Sequence, residues 1–316
     1  MGRPQLTYVR TQSFFPHLIL FGWMAVLICG IARAGENELP LPRHRLVYEN
    51  LMILRYNSLG GEELPSLHYR LRLFNKTGPA WEDAHFGVGF QPTADFTQTR
   101  LGPTLTFKPI AFFSLTAGYA YNIWYGAFGN LRSYDTPGAE YFLPDDFESS
   151  PDVYGTTGHE VLIGARISFA VGPFVFSNYA VFSWTDMALR SGDRWYFQPS
   201  TDLLVQNRGW YLANDADLGF ITPFGLNVLA RTTVCHAFYT DGGQAAGARN
   251  TPNVRFGPML TYMFFDRPLS SFNKPTLIFS MSWWLRNRYR TGAEVSGGLP
   301  FLLLAFKFEV DIWWRD

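Results

Sequence analysis

Beyond Gly35 the chain is organised by a two-residue alternation of apolar and polar positions, the period of a strand whose two faces meet different surroundings. From Ser66 to Phe74 (SLHYRLRLF), Leu67, Tyr69, Leu71 and Leu73 share one face, while His68, Arg70 and Arg72 share the other. After Phe112, Phe113, Leu115, Ala117, Tyr119, Tyr121 and Ile123 oppose Ser114, Thr116, Gly118 and Asn122. Val161, Ile163, Ala165, Ile167 and Phe169 oppose Glu160, Gly164, Arg166 and Ser168. Near the end, Leu302, Leu304, Phe306, Phe308, Val310, Ile312 and Trp314 oppose Lys307, Glu309 and Asp311. The pattern predicts about twelve strands, at 45–57, 65–74, 81–91, 97–108, 111–125, 158–171, 174–186, 209–221, 226–238, 254–265, 275–288 and 299–314.

Gly and Pro punctuate short connections at Gly78-Pro79, Pro109, Gly172-Pro173, Pro223 to Gly225 and Pro268. Longer loops fall near Ser58 to Leu64, Pro92 to Phe96, Gly126 to Thr157, Met187 to Gly209, Tyr239 to Asn253 and Arg290 to Leu299. Short turns on one side and long loops on the other predict an all-β, transmembrane, antiparallel up-and-down barrel. The stretch Arg194 to Gln206 (RWYFQPSTDLLVQ) is read as an extracellular hairpin extension, because one extra strand would leave the C-terminus on the wrong side. A second hidden strand in the same region gives a 14-strand alternative.

Residue size decides which face meets lipid. The apolar face carries Phe, Tyr, Leu and Trp on nearly every strand, more ring volume than a small closed barrel holds inside. The polar face carries Arg45, Arg55, Arg70, Arg72, Arg100, Lys108, Arg166, Arg231, Arg255, Arg286, Arg288 and Lys307. Facing lipid at the midplane, each would cost roughly 2 to 4 kcal/mol, together more than the roughly 5 to 15 kcal/mol by which a domain is stable. In a membrane these residues therefore face the lumen. Tyr56, Trp124, Tyr125, Trp184, Trp210, Trp283 and Tyr289 toward one rim, and Phe74, Trp81, Phe107, Phe169, Phe220 and Trp313 toward the other, read as two aromatic girdles.

Composition agrees. Aromatic residues make up 17% of the 316 positions and charged residues only 16%, unlike a soluble enzyme, and no stretch past Gly35 is apolar for the about 20 residues a spanning helix needs. Residues 1–34 stand apart: Arg3 and Arg10 precede an apolar run from Leu18 to Ile31 and an Ala32-Arg33-Ala34 cleavage site, so they read as a signal peptide. Residues 35–44 read as a periplasmic segment and 45–316 as the barrel. Without Arg3, Arg10 and Arg33, 23 basic residues face 26 acidic ones, and Cys235 is the one cysteine left, so no intrachain disulfide forms.

The leader, the alternating segments and the last strand, LLLAFKFEVDIWW, resemble bacterial outer-membrane β-barrels as a class. That resemblance implies residence in the cell outer membrane, with the lipid bilayer, lipopolysaccharide and the barrel-assembly machinery as partners. One departure is that Arg315 and Asp316 follow Trp314, so the aromatic residue is not terminal.

Catalytic patterns are sparse. The His-x-Ser spacing of outer-membrane lipid-modifying enzymes is absent, and the reversed pair Ser66 and His68 shares a face with Arg70 and Arg72, inside the barrel. His159 points outward near the outer rim. Cys235 and His236 are adjacent, so on a strand they face opposite sides and do not act together. No phosphate loop, zinc spacing or nucleic-acid motif occurs; a non-enzymatic protein without cofactor or metal is expected.

The lumen is the candidate site, with Arg70, Arg72, Arg100, Arg166, Arg231, Arg255 and Arg286 beside Glu49, Glu160, Asp215 and Asp217. Rings of arginine favour anions, which predicts a narrow channel or porin-like protein for small anionic or polar solutes. The alternatives are a closed structural, adhesive or assembly-related barrel plugged by ion pairs and, last, a lipid-modifying enzyme. The loop from Gly126 to Thr157, with Asp135, Glu140, Asp145, Asp146, Glu148 and Asp152, reads as a solvated acidic surface loop, and its negative charge over a net positive lumen would permit an electrostatic lid.

Overall fold

The computed structural model describes residues 41–57, 59–76, 78, 80–81, 83–128, 130–139, 153–240, 252–287 and 298–316. Twelve barrel strands run through them: β1 His44–Tyr56, β2 Gly60–Arg72, β3 His85–Phe90 continued by Thr93–Asp95, β4 Gln98–Leu101 continued by Pro103–Ile110, β5 Phe113–Tyr125 and β6 Gly155–Val171. They continue as β7 Phe174–Met187, β8 Gly209–Ile221, β9 Leu226–Phe238, β10 Asn253–Met263, β11 Asn273–Arg286 and β12 Phe301–Arg315. Each pairs antiparallel with the next, and β1 pairs with both β2 and β12, so the sheet closes on itself. Closure removes the two edges that would otherwise leave a row of unpaired backbone groups in lipid. Among the described residues no helix is long and apolar enough to cross a membrane.

Alternation sorts the side chains as the sequence predicts. On β2 and β3, Leu67, Tyr69, Phe86, Val88 and Phe90 are exposed on the outside, while His68, Arg70, His85 and Gly87 line the interior. On β12, Leu304, Ile312 and Trp314 are exposed, whereas Ala305, Glu309 and Asp311 are buried. Large apolar side chains left exposed on the outer wall of a closed sheet are the signature of a lipid-facing band. At the inner rim Arg45, 5% exposed, donates to Asp311 at 2.6 and 2.9 Å across the β1/β12 closure. Asp311 also accepts the Leu269 amide, which ties the β10/β11 turn to the same point.

Three boundaries differ from the reading of the sequence. The polar run GGEEL does not form a loop: Gly60 to Leu64 extends β2 and pairs with Leu51 to Arg55. Thr93 to Asp95, placed in a loop, carries β3 toward the outer rim and pairs with Glu62, Glu63, Thr99 and Arg100. Both segments looked like loops because Gly, Pro and Glu weaken a strand signal. The third difference is Arg194 to Gln206. It forms a hairpin, Trp195–Gln198 with Leu203–Gln206, but the hairpin does not extend outward; all eight of these strand residues are buried.

Candidate functional site in the lumen

The outer part of the lumen is filled by protein. The Trp195–Gln198 and Leu203–Gln206 hairpin, joined by Ser133–Tyr134, makes a three-stranded sheet that crosses the mouth from the β7/β8 side. Its underside packs Tyr196, Leu203 and Val205 against Trp124, Leu131, Met187, Tyr211, Cys235 and Ala237. Trp124, Tyr211 and Cys235 lie on the inward faces of β5, β8 and β9. They are apolar there because they meet another sheet instead of water. Tyr196, fully buried, donates to Thr185 Oγ1 at 2.9 Å. The hairpin tip reaches the far wall, where the Asn253 amide donates to the Asp202 carbonyl and Asn287 Nδ2 donates to Asp202 Oδ2 at 2.7 Å. Arg255 stands beside the tip with its guanidinium over the rings of Phe301 and Trp284, at 3.8 and 4.8 Å.

Below the sheet runs a belt of buried charge. Arg100 donates to Glu62 at 2.6 Å and lies 3.9 Å from Glu160, and Tyr211 donates to Glu160 at 2.8 Å. Glu160 is 3% exposed, so the guanidinium and the phenol replace the water its carboxylate has lost. On the opposite wall Arg231 donates to both oxygens of Asp217, at 2.7 and 2.8 Å, and lies 3.5 Å from Asp215.

The inner half is hollow. A cavity of about 460 Å³ is lined by Arg70, Lys108, Arg166, Lys274 and Lys307, by Glu49, Asp83 and Glu309, and by His68 and His85. Five cations therefore face three carboxylates. Most are paired: Arg70 with Glu49, Lys108 with Asp83 at 3.0 Å, and Lys274 and Lys307 with Glu309 at 3.8 and 4.0 Å. Arg166 differs. It has no carboxylate in ion-pairing distance among the described residues; its guanidinium lies 4.4 Å from the centre of the Tyr179 ring and remains exposed to the cavity. Asp83, in the turn before β3, loses water by burial, which alone would raise its pKa. The hydrogen bond from His85 and the charges of Arg70 and Lys108 outweigh that and hold it well below the usual carboxylate range.

The predicted site residues thus fall into separate groups. Arg70, Arg166 and Glu49 line the cavity, and Arg100 and Glu160 form the belt. Arg231, Asp215 and Asp217 brace the β8/β9 wall, and Arg255 flanks the hairpin tip. Arg72 leaves the lumen proper to donate to the Leu41 carbonyl and to Asn75. Arg286 is exposed at the outer end of β11. Trp124, assigned to the outer girdle, sits at that height but faces inward, 2% exposed. His159 does point outward, sharing a 2.6 Å hydrogen bond with the Tyr119 hydroxyl. The residues missed are those of the mouth sheet and Lys274 with Asp83; Lys108 was on the predicted lumen face but not among the candidate site residues. Of the acidic loop, Glu140, Asp145, Asp146, Glu148 and Asp152 lie outside the described residues, as do the proposed leader, Arg288 and Tyr289.

A closed sheet of twelve antiparallel strands, oily outside and lined with arginines and carboxylates within, is a transmembrane β-barrel of the bacterial outer-membrane kind. Among solved structures the chain is similar to the KdgM porin (6% identity over 84% of this chain and 99% of that one, TM-score 0.36). It is also similar to the NanC porin (9%, 84% and 100%, TM-score 0.37) and to the β domain of the Bordetella autotransporter BrkA (10%, 85% and 98%, TM-score 0.37). No family model and no curated protein matches the chain.

Proposed function

We propose that the protein is an outer-membrane conduit for small anionic solutes, shut at its outer mouth by the folded-in sheet and holding the anion in the inner, periplasm-facing cavity. The observation that carries this reading is Arg166: an unpaired guanidinium exposed in a cavity whose charged lining is already net positive. An arginine that is neither neutralised nor buried is free to bind an anion. The short turns lie at the cavity end, which orients it toward the periplasm in a barrel of this kind. Passage requires the hairpin to leave the mouth, so the resting barrel conducts little. A barrel of twelve strands lies between those filled by side chains and those that leave an aqueous channel, so removal of the hairpin opens a path.

The test is planar-bilayer conductance of the full chain and of a variant with residues 189–207 replaced by a short Gly-Ser linker. The account expects small, infrequent events from the parent and, from the variant, conductance higher by an order of magnitude or more with anion preference that Arg166→Ala reduces. A folded but silent variant, or one that prefers cations, contradicts it.

A further inference from the structure

The β2/β3 seam is interrupted on the lipid-facing wall. Leu67 pairs with Phe90 and Glu63 with Ala94, but no rung joins Leu64–Ser66 to Gln91–Thr93. In that register Pro65 faces Pro92, and neither ring nitrogen carries a hydrogen to donate. Immediately on the outer side of the break lies a groove of about 500 Å³, lined mainly by apolar atoms of Met52, Leu54, Ala94, Phe96, Leu304 and Phe306. Phe96 forms one wall by lying across β2 over Gly61, where an added Cβ would come within 2.9 Å of its ring.

Three carboxylates border the groove; Glu62 turns inward to Arg100 and Asp95 accepts from the Thr97 and Gln98 amides, which leaves Glu63. Alternation with Leu67 and Tyr69 puts Glu63 on the outer face, and it is exposed there. It accepts a hydrogen bond from Asn50 Nδ2 at 2.9 Å, and its second carboxylate oxygen has no partner among the described residues. Asn50, from the same lipid-facing row of β1, is 6% exposed, and its Oδ1 also lacks a partner. The other polar pair on this wall behaves differently. Asn178 and Asn214 donate to each other at 3.3 and 3.2 Å and also reach backbone carbonyls, which leaves neither side-chain oxygen open. A polar acceptor left open in an apolar setting costs free energy, and here a Glu63 carboxylate oxygen stands open at the edge of an apolar groove.

We propose that this groove is a binding site for an amine-bearing amphiphile, its ammonium group donating to the Glu63 carboxylate and its acyl chain lying along Met52, Leu54 and Phe306. Charge selects the amine: a carboxylate, sulfate or phosphate head would meet Glu63 with the same sign. The site is independent of the lumen and of the transport reading.

Native mass spectrometry of the full-length protein released from micelles tests this, with dodecylamine and dodecanoic acid as matched probes. The parent should retain dodecylamine over dodecanoic acid by roughly tenfold, a difference of about 1.4 kcal/mol. Glu63→Gln should remove that preference, and Ala94→Trp, which fills the groove, should abolish retention of both. Equal retention of the two probes by the parent, or an unchanged preference in Glu63→Gln, overturns the proposal.

Discussion

The outer and inner halves of this lumen are built by opposite rules. In the outer half, inward positions on the wall carry Trp124, Tyr211, Cys235 and Ala237, which pack against a second sheet much as the two layers of a soluble domain do. In the inner half, the equivalent positions carry Arg70, Lys108, Arg166 and Lys307 around a cavity. The Arg100, Glu62 and Glu160 belt lies between them. The same alternation of inside and outside therefore specifies a packed plug at one end and a charged chamber at the other. What differs is what the inward side chains meet: a folded segment in one case, an open cavity in the other.

That contrast breaks most visibly under truncation. Trp124→Ala should leave a cavity under the mouth sheet and cost about 3 to 5 kcal/mol, measured by urea unfolding from lipid vesicles. Arg166→Ala, at the other end, should change stability by less than about 0.5 kcal/mol while altering ion selectivity. Equal costs at the two positions would dissolve the distinction.

The hold of the sheet on the far wall is sharper and smaller. Asn287→Ala removes one donor to Asp202, and a hydrogen bond to a charged group is worth about 1.5 to 3 kcal/mol. The effect should appear as more frequent openings in bilayers with the barrel itself still folded.

The smallest expected effect is one of pH. The carboxyl of Asp83 is held below its unfolded value of about 3.9, so its stabilising contribution is present above that pH and is lost as pH falls toward the depressed value. Unfolding midpoints should fall as pH drops below about 4, and Asp83→Asn should flatten that slope. An unchanged slope in the variant would place the acid sensitivity elsewhere.

The strands were legible because each has lipid on one side and a polar interior on the other, so their alternation is strong. All twelve fall within a few residues of the predicted positions; on their inward rows Arg70 pairs with Glu49 and Arg231 with Asp217. The direction of the Arg194 to Gln206 hairpin was not legible from its position in a long loop. A signal for it did exist: RWYF and LLV lack alternation, as expected of strands buried on both faces, and an extension into solvent would have kept one polar face. The ends of β2 and β3 were obscured by glycines, prolines and paired glutamates. The pairing state of each lumen charge depends on shear between strands far apart in sequence, which periodicity does not encode. That is why the sequence groups Arg166 with its neighbours without distinguishing it from them.

Cys235 reports directly on whether the sheet closes the mouth, because it is 4% exposed and lies beneath Val205 and Tyr196 in the same cluster. In a Cys29→Ser background, its labelling by a small, charged methanethiosulfonate should be slow in the parent and faster by roughly tenfold or more in Asn287→Ala, a change of about 1.4 kcal/mol in the opening equilibrium. Rapid labelling of the parent, at the rate of the variant, would mean that the sheet does not occupy the lumen.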